Sequence, residues 1–227
     1  MRTPTKKYAL KHLQQRGIPV GTVLDVGVLH GTPELVDAFP GHHHVLFEPV
    51  REFYPFIARA YEYVEHTLVE VAVSDTTGTV TLSLATVIDG MDVSHARVAE
   101  AGKEGQREVA ATTLDDYLAG NTTLAKPYLL KVDVDGHELS ILKGARQSLA
   151  DCSVIIVEVQ LDNLKARTDF LIANGFQIYD VVDLCYYGGQ LAQFDVVFVN
   201  VEAAKAAKAN LYEDGPFDYS KWVTYEG

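Results

Sequence analysis

The hydrophobic and polar positions along this chain follow two spacings that alternate from one segment to the next. Short runs rich in Val, Leu, Ile and Phe predict β-strands, and segments with apolar residues three or four positions apart predict helices. The expected strands span residues 20–26, 43–47, 68–73, 79–85, 128–134, 154–160, 176–182 and 194–199. Helices are expected at 5–15, from Thr32 onward, and at 51–63, 137–149 and 164–174.

Strands interleaved with helices are typical of parallel crossovers in one sheet whose two faces are covered. The last two strands lie too close together for a crossover helix, so they should form an antiparallel pair at one edge. Residues 75–78 have turn chemistry and precede the alternating strand 79–85, which predicts a β-hairpin inserted in the middle of the chain. Residues 89–106 contain three glycines and little periodicity, and we expect a long loop or a short helical insert there.

The length of the chain and the uniform composition along it predict its domain organisation. It has 227 residues without an internal repeat or a low-complexity linker, which favours one domain spanning residues 1–227. Residues 1–19 form an N-terminal helical segment of this domain, and residues 201–227 form a tail. The expected fold class is α/β, with a mostly parallel sheet and helices on both faces.

Composition and charge exclude several functions. There are 19 Lys and Arg against 31 Asp and Glu, so the formal net charge is −12, and an acidic chain without a basic block repels nucleic acid. No run reaches the roughly 20 apolar residues that span a bilayer, so no membrane partner is expected. The basic N-terminus lacks the apolar segment of a secretory signal. Cys152 and Cys185 make no disulfide framework, and we expect two small core residues in a cytoplasmic protein.

The loop after the first strand has the spacing D-x-G-x-x-x-G, formed by Asp25, Gly27 and Gly31. Open α/β sheets bind ligands at this end of their strands. Glycines let the backbone pass close to a ligand, and the N-terminus of the following helix favours a carboxylate or phosphate. An ordinary strand-to-helix turn also uses glycine, so the loop alone fits both interpretations.

Glu48 ends the second strand, 23 residues after Asp25. An acid at this position of a nucleotide-binding sheet accepts hydrogen bonds from two ribose hydroxyls. The alternative is a solvated acid at a strand end. The combination of Glu48 with the preceding glycine loop favours a cofactor that contains a nucleoside.

The densest polar cluster follows the strand predicted at 128–134 and comprises Lys131, Asp133, Asp135, His137 and Glu138. The first three are two residues apart, so their side chains share a face while the strand stays extended. His137 is the side chain best suited to take a proton near neutral pH. The alternative is a structural lysine–carboxylate pair followed by an acid at a helix N-terminus. A metal site built from the same groups is a further alternative, and no metal is assigned.

Glu158 ends the next strand and should face the same crevice, unless it is a solvated acid. We expect six acids at strand ends to gather along one edge of the sheet, namely Asp25, Glu48, Asp133, Asp135, Glu138 and Glu158. Three consecutive histidines, His42, His43 and His44, alternate in direction along a strand, so they cannot converge on a metal and are expected at the surface.

Five separated motifs resemble those of the FkbM-type methyltransferases in their order and spacing. They are Asp25-Val26-Gly27…Gly31, Phe47-Glu48-Pro49, Ala72-Val73-Ser74-Asp75…Gly78, Thr113-Leu114-Asp115, and the segment from Leu130 to Glu138 that continues to Leu142-Lys143-Gly144-Ala145. The resemblance covers residues 22–200. It implies a Rossmann-like class I fold with a seven-stranded sheet, S-adenosylmethionine as cofactor, and methylation of a hydroxyl oxygen on a sugar, glycan or polyketide-type molecule.

The resemblance also implies how the cofactor is held. Asp25, Gly27 and Gly31 would shape the loop around its methionine and ribose portions, and Glu48 would bind the ribose hydroxyls. Leu29 departs from the pattern because the family usually has a small or amide residue in the middle of this loop. The polar contacts of the loop are therefore expected to differ.

Further roles follow from the same resemblance. Ala72 and Val73 would lie near adenine, and Asp133 would lie close to the methionine amine or the reacting hydroxyl. His137 is the candidate general base for that hydroxyl, with Asp133 or Glu158 orienting the imidazole or the substrate.

The acceptor is expected to be a small molecule or a saccharide, bound by residues 89–106 and the tail. The acidic surroundings favour a neutral or basic acceptor over a phosphorylated one. The tail carries five aromatic residues that could instead cover a sheet edge or contact a second subunit of a homo-oligomer: Tyr212, Phe217, Tyr219, Trp222 and Tyr225. A nicotinamide-dependent oxidoreductase and a non-catalytic nucleoside-binding module remain alternatives, although the dinucleotide pattern G-x-G-x-x-G does not occur.

Overall fold

A computed structural model describes residues 3–86, 93, 95–99, 102, 106–211 and 215–224. Its strands, in chain order, are β1 (Thr22–Val26), β2 (His43–Phe47), β3 (His66–Val69), β4 (Ala72–Val73), β5 (Gly78–Ala85), β6 (His95–Val98), β7 (Gln106–Thr112), β8 (Tyr128–Val132), β9 (Cys152–Val159), β10 (Phe176–Tyr187) and β11 (Gln190–Asn200). Its α-helices are α1 (Lys6–Gln15), α2 (Pro33–Ala38), α3 (Tyr54–Ala60), α4 (Leu114–Gly120), α5 (Glu138–Lys143), α6 (Leu164–Ala173) and α7 (Val201–Ala206). Short 3-10 helices span Arg51–Phe53, Ser148–Asp151 and Tyr219–Lys221.

The main sheet has seven strands in the order β3-β2-β1-β8-β9-β11-β10. The pairs among β3, β2, β1, β8 and β9 are parallel, and β11 is antiparallel to both of its neighbours. The two strands at the β10 edge are consecutive in the chain, so a hairpin joins them without a crossover helix. This arrangement confirms the predicted class I fold with an antiparallel edge pair.

Side chains that alternate along the strands build an apolar core on each face of the sheet. On one face, Leu24 and Leu130 pack with buried residues of α4, α5 and α6. On the other face, Val23 and Leu129 pack with buried residues of α1, α2 and α7. Because the side-chain period of a strand is two, Asp25 and Lys131 lie on the face of Val23 and Leu129. On the α1 side of the sheet, the apolar side chains are thus followed by polar ones near the carboxyl ends of the strands.

A second sheet replaces the predicted β-hairpin and has the order β4-β7-β5-β6. The segment expected as one strand at 68–73 is divided, because β3 joins the main sheet while β4 pairs in parallel with β7. The strand expected at 79–85 lies within β5, whose antiparallel partners are β6 and β7. A strand, β6, lies within the segment expected as a loop or helical insert, and residues 87–92, 94, 100–101 and 103–105 lie outside the described part of the chain.

The helix predicted at 137–149 ends early because Gly144 lies against another part of the backbone. A Cβ atom on Gly144 would lie 2.2 Å from the carbonyl oxygen of Ser74, which follows β4. The backbone N–H of Asp115 donates to the carbonyl of Gly144 at 3.0 Å, and its carboxylate accepts from the N–H of Ser148 at 2.8 Å. Three motifs of the family pattern therefore hold the two sheets together.

Two expectations about burial were wrong. His44 is fully buried on the α1 face of β2, and its Nε2 lies 3.0 Å from the carbonyl oxygen of Phe39, so it is not a surface residue. Cys152 is buried as expected, but Cys185, which pairs with Gln193 on the edge strand β10, is exposed. In the described part of the chain, the helices are too short or too polar to cross a bilayer.

Candidate functional site

A cavity of about 480 Å³ opens at the carboxyl ends of the parallel strands. It is lined by the first glycine loop and the start of α2, the ends of β2, β8 and β9, the second sheet, and single residues from elsewhere: Lys6 of α1, Phe53, His137 and Gln193 of β11. The predicted residues that line it are Gly27, Gly31, Glu48, Ala72, Val73, Asp133, His137 and Glu158. The sequence-predicted candidates therefore share one cavity, with the exceptions of Asp25 and Glu138.

The glycine loop lies directly against the loop that follows β8. Gly27 has φ +82°, and a Cβ atom there would lie 1.9 Å from the carbonyl oxygen of Asp133. Gly31 has φ +113°, and its Cβ would lie 2.6 Å from Cβ of Ala60. Both positions combine a left-handed backbone with close contact, so only glycine fits without strain. Leu29, the departure from the family pattern, has φ +53°, and its backbone N–H donates to Glu48 Oε2 at 3.0 Å.

Asp25 supports this loop from beneath the cavity. Its carboxylate is fully buried and accepts hydrogen bonds from Thr32 Oγ1 at 2.7 Å and Tyr61 OH at 3.1 Å. Its other oxygen lies 3.2 Å from Lys131 Nζ. Burial and the neighbouring Asp25 raise the pKa of Tyr61, so the phenol stays a donor. Asp25 thus stabilises both ends of the loop, Thr32 directly and Gly27 through Lys131, and it does not line the cavity.

Glu48 is only 4% exposed, and its carboxylate holds two backbone segments. One oxygen accepts from Leu29 N–H, and the other accepts from Val50 N–H at 2.9 Å. Burial raises the pKa of Glu48 to about 7, although the two backbone donors oppose this shift. Each carboxylate oxygen has a second lone pair, so Glu48 can still accept hydrogen bonds from a ligand in the cavity.

Lys131 connects the loops at the centre of the cavity. Its ammonium group donates to the carbonyl of Gly27 at 2.7 Å and lies 3.2 Å from Asp25 Oδ1 and 3.4 Å from Asp133 Oδ2. Burial lowers the pKa of Lys131, but Asp25 and Asp133 outweigh this effect and raise it. Lys131 and Asp133 lie together as predicted, whereas Asp135 has φ +52° beyond the end of β8 and is exposed at the cavity mouth.

His137 precedes α5 and lines the cavity as a half-buried side chain. Its Nε2 lies 2.9 Å from Ser74 Oγ, which comes from the start of the second sheet. Burial lowers the pKa of His137, although Asp75 and Glu138 oppose the shift. The imidazole is therefore largely neutral at pH 7 and able to accept a proton.

Glu138, which we expected among the acids at the cofactor edge, is fully buried outside the cavity. It forms an ion pair with Arg167 of α6 and accepts from the N–H of Gly136 at 3.0 Å. The backbone N–H of Val134 also donates to it at 3.4 Å. Glu138 therefore stabilises the turn between Asp133 and His137.

At the β9 end of the cavity, the predicted residue Glu158 is joined by Gln193 and Lys6, which the sequence pattern did not indicate. Glu158, 8% exposed, accepts from the amide of Gln193 at 2.6 Å, and Lys6 forms an ion pair with Asp195 at 2.8 Å. Asp195 is the register partner of Glu158 on the neighbouring strand. The only local signal for Gln193 was its place just before a predicted strand, and Lys6 reaches the site from a helix that precedes all of the motifs.

The second sheet and the tail contribute unequally to the site. Leu82, Ala96 and Val98 line the cavity together with Val73, and Ala96 and Val98 belong to the segment expected to bind the acceptor. The tail aromatics Phe217, Tyr219 and Trp222 are exposed and do not line it. Tyr212 and Tyr225 lie outside the described residues.

This chain is similar to several known proteins. A segment of 48 residues is 42% identical to the hexuronic acid methyltransferase AglP of Haloferax volcanii and spans 21% of this chain and 20% of that protein. An O-methyltransferase structure from Bacillus cereus, in complex with SAH, is 15% identical with a TM-score of 0.48, over 86% of this chain and 80% of that chain. A precorrin-6y C5,15-methyltransferase from Geobacter metallireducens GS-15 is 14% identical with a TM-score of 0.45, over 84% of this chain and 86% of that chain.

The family comparison covers the strands and loops that build the cavity. The model of the methyltransferase FkbM domain matches residues 25–178, from Asp25 beneath the first loop to the start of β10. Because this match covers more than half of the 227 residues, the chain belongs to the FkbM methyltransferase family, whose cofactor is S-adenosylmethionine.

Proposed function

We propose that this methyltransferase acts on a hydroxyl oxygen of a saccharide or a similar polyhydroxylated small molecule, such as a glycan or polyketide-type product. The observation that carries the proposal is His137, a half-buried imidazole with a lowered pKa that lines the cavity. A hydroxyl acceptor needs a group that takes its proton, and a neutral imidazole is suited to this role. The name of AglP, a hexuronic acid methyltransferase, supports a saccharide as the acceptor.

The residues of the cavity fit S-adenosylmethionine. A buried carboxylate, Glu48, and apolar residues that include Ala72 and Val73 line the same cavity, which suits a ribose and an adenine ring. The loop from Gly27 to Gly31 and the carboxylate of Asp133 would hold the methionine end. When bound, the cofactor supplies an electrophilic methyl group on a sulfonium sulfur.

The protein groups around the acceptor would then position it and remove its proton. Ser74 holds Nε2 of His137, which leaves Nδ1 to take the proton of the hydroxyl. Lys131 fixes Asp133, so this carboxylate can orient the substrate or the cofactor amine without moving. Holding the two reactants in line supplies much of the reduction in the barrier.

The proposal is tested by supplying S-adenosylmethionine with a panel of neutral and charged saccharides and measuring the formation of S-adenosylhomocysteine. We expect turnover above the acceptor-free rate and a product whose new methyl carbon is bonded to oxygen, as identified by carbon-13 NMR. A product methylated on nitrogen or carbon would contradict the proposal. Cofactor binding without any turnover would favour the non-catalytic module.

Substitution of Glu48 by alanine should weaken the binding of S-adenosylmethionine about 10-fold or more. Hydrogen bonds to a charged acceptor are worth about 1.5–3 kcal/mol, and the variant loses both the ribose contacts and the anchor of the Leu29 amide. Titration calorimetry measures the change. Glu70→Ala is the matched control, because Glu70 is an exposed acid after the neighbouring strand and does not line the cavity.

The pKa of Glu48 adds a pH test to this assignment. Since the pKa is raised to about 7, the carboxyl is protonated below that pH and ionised above it. The ionised form is the better acceptor for ribose hydroxyls, so the cofactor affinity of the native protein should increase as the pH rises through about 7. In Glu48→Gln this increase should be absent, and an identical profile in both proteins would contradict the role of Glu48.

A further inference from the structure

The imidazole of His137 has to carry its proton on the correct nitrogen before it can act as a base. A neutral imidazole is protonated on Nδ1 or on Nε2, and only the nitrogen without the proton can accept one from a substrate. Nε2 lies 2.9 Å from Ser74 Oγ, and no described residue binds Nδ1. His137 can therefore take a proton from an acceptor only through Nδ1, and only while Nε2 holds the ring proton.

Ser74 is a fixed partner for this imidazole. It is 2% exposed, and its backbone N–H donates to the carbonyl of Thr112 at 2.9 Å. Its own carbonyl oxygen lies against Gly144, where a Cβ atom would approach to 2.2 Å. His137 precedes α5 and Gly144 follows it, so Ser74 contacts the residues at both ends of this helix. The Ser74 hydroxyl therefore has a defined position relative to the imidazole.

The Ser74 hydroxyl has one proton and two polar neighbours. Its Oγ lies 3.3 Å from Asp75 Oδ1 and 2.9 Å from Nε2 of His137. An ionised carboxylate only accepts hydrogen bonds, whereas a hydroxyl both donates and accepts. If the hydroxyl donates to Asp75, Nε2 must carry its own proton and donate to Oγ. If the hydroxyl donated to Nε2 instead, the hydrogen bond to the charged acceptor, which is the stronger kind, would be lost.

We propose that Ser74 and Asp75 are positioning residues that hold the ring proton of His137 on Nε2, through hydrogen bonds from Nε2–H to Ser74 Oγ and from the Ser74 hydroxyl to Asp75. The proposal rests on the function proposed above and assigns Nδ1 as the atom that takes the proton of the acceptor hydroxyl. After this transfer both ring nitrogens carry a proton, and neither Ser74 nor Asp75 has changed its protonation. Burial lowers the pKa of His137, and the negative charge of Asp75 opposes this shift, so Asp75 also stabilises the imidazolium.

The position of the ring proton can be measured without an acceptor. The protein is labelled with nitrogen-15 histidine and loaded with S-adenosylhomocysteine, and both imidazole nitrogens are observed at about pH 8 by long-range proton–nitrogen correlation NMR. His137→Ala identifies the signals of His137 among the 8 histidines. In the native protein we expect a protonated Nε2 and an unprotonated Nδ1. A protonated Nδ1 would overturn the proposal.

Substitutions of Asp75 distinguish the hydrogen-bond chain from the preference of a free imidazole, which also favours a proton on Nε2. Asp75→Ala leaves the Ser74 hydroxyl free to donate to Nε2, so the ratio of Nδ1-protonated to Nε2-protonated His137 should increase about 5-fold, the effect of one ordinary hydrogen bond. Asp75→Asn keeps an acceptor oxygen without the charge, and its ratio should stay near the native one. Thr76→Ala, at the next exposed residue, is the matched control. Equal ratios in Asp75→Ala and Thr76→Ala would overturn the hydrogen-bond chain.

Turnover measurements distinguish this chain from the proposed function. Asp75→Ala should lower the turnover number by about 2- to 10-fold, and Thr76→Ala should leave it unchanged. Thermal melting verifies that the variants fold. A shifted proton ratio with full turnover by His137→Ala supports the chain and overturns His137 as the base. An unshifted ratio in Asp75→Ala, with a large loss of turnover in His137→Ala, overturns the chain and leaves the proposed function in place.

Discussion

Replacement of His137 by alanine should lower the turnover number by about 10²- to 10⁴-fold, which is the usual contribution of a positioned general base. The imidazole lines the cavity, and its Nε2 is held 2.9 Å from Ser74 Oγ. Its side chain makes no capping hydrogen bond to α5, so its removal should leave the helix intact. The loss is measured as the rate of S-adenosylhomocysteine formation with a saturating acceptor.

The pH profile distinguishes a base from a residue that only shapes the cavity. Because the pKa of His137 lies below its usual value of 6.5, the native turnover number should rise with pH through that lowered pKa and then level off. His137→Ala should lose this rise, whereas Ser74→Ala, which keeps the imidazole, should retain it with a smaller loss of rate. Full turnover by His137→Ala would assign the proton transfer to another group.

Replacement of Arg167 by alanine should lower the free energy of unfolding by about 3–5 kcal/mol. Arg167 is 3% exposed, and its guanidinium group pairs with the carboxylate of Glu138, a residue that is 0% exposed. Removing the cation leaves a buried carboxylate without its counter-charge, and it also removes the donor to the carbonyl of Glu158. Urea denaturation measures the change.

The matched control lies on the same helix. Lys165 and Asp169 of α6 form an ion pair whose side chains are 84% and 61% exposed. Exposed pairs contribute about 0–1 kcal/mol, so Lys165→Ala should change the free energy of unfolding by less than about 0.5 kcal/mol. If the two substitutions had equal effects, the buried pair would not be the main anchor of the turn between Asp133 and His137.

Sequence periodicity predicted most strands and helices of the main sheet in their order, because the two side-chain spacings are local properties of the backbone, but it missed β6, β7, α4 and α7. It also placed Gly27, Glu48, Asp133 and Glu158 at strand ends. Since the carboxyl ends of parallel strands meet at one edge, these four were expected in one cavity, and the structure brings them together there.

The same reasoning could not separate ligand-facing acids from structural acids. Asp25 and Glu138 belong to the same motifs as Gly27 and His137, yet both are fully buried outside the cavity. Their partners, Tyr61 and Arg167, come from helical segments with no motif of their own. A carboxylate at a strand end is structural when a side chain from a distant segment binds it, and it remains available to a ligand when none does.

By itself, the sequence determined the α/β class, the edge of the sheet that carries the site and the family, since these depend on local spacing and on motif order. The tertiary structure alone decided the pairing of β4 and β5 with β7 in a second sheet, the contact of Gly144 with Ser74, and the place of Lys6 and Gln193 in the cavity lining. Each of these contacts joins residues far apart in the chain, and packing rather than local propensity selects them.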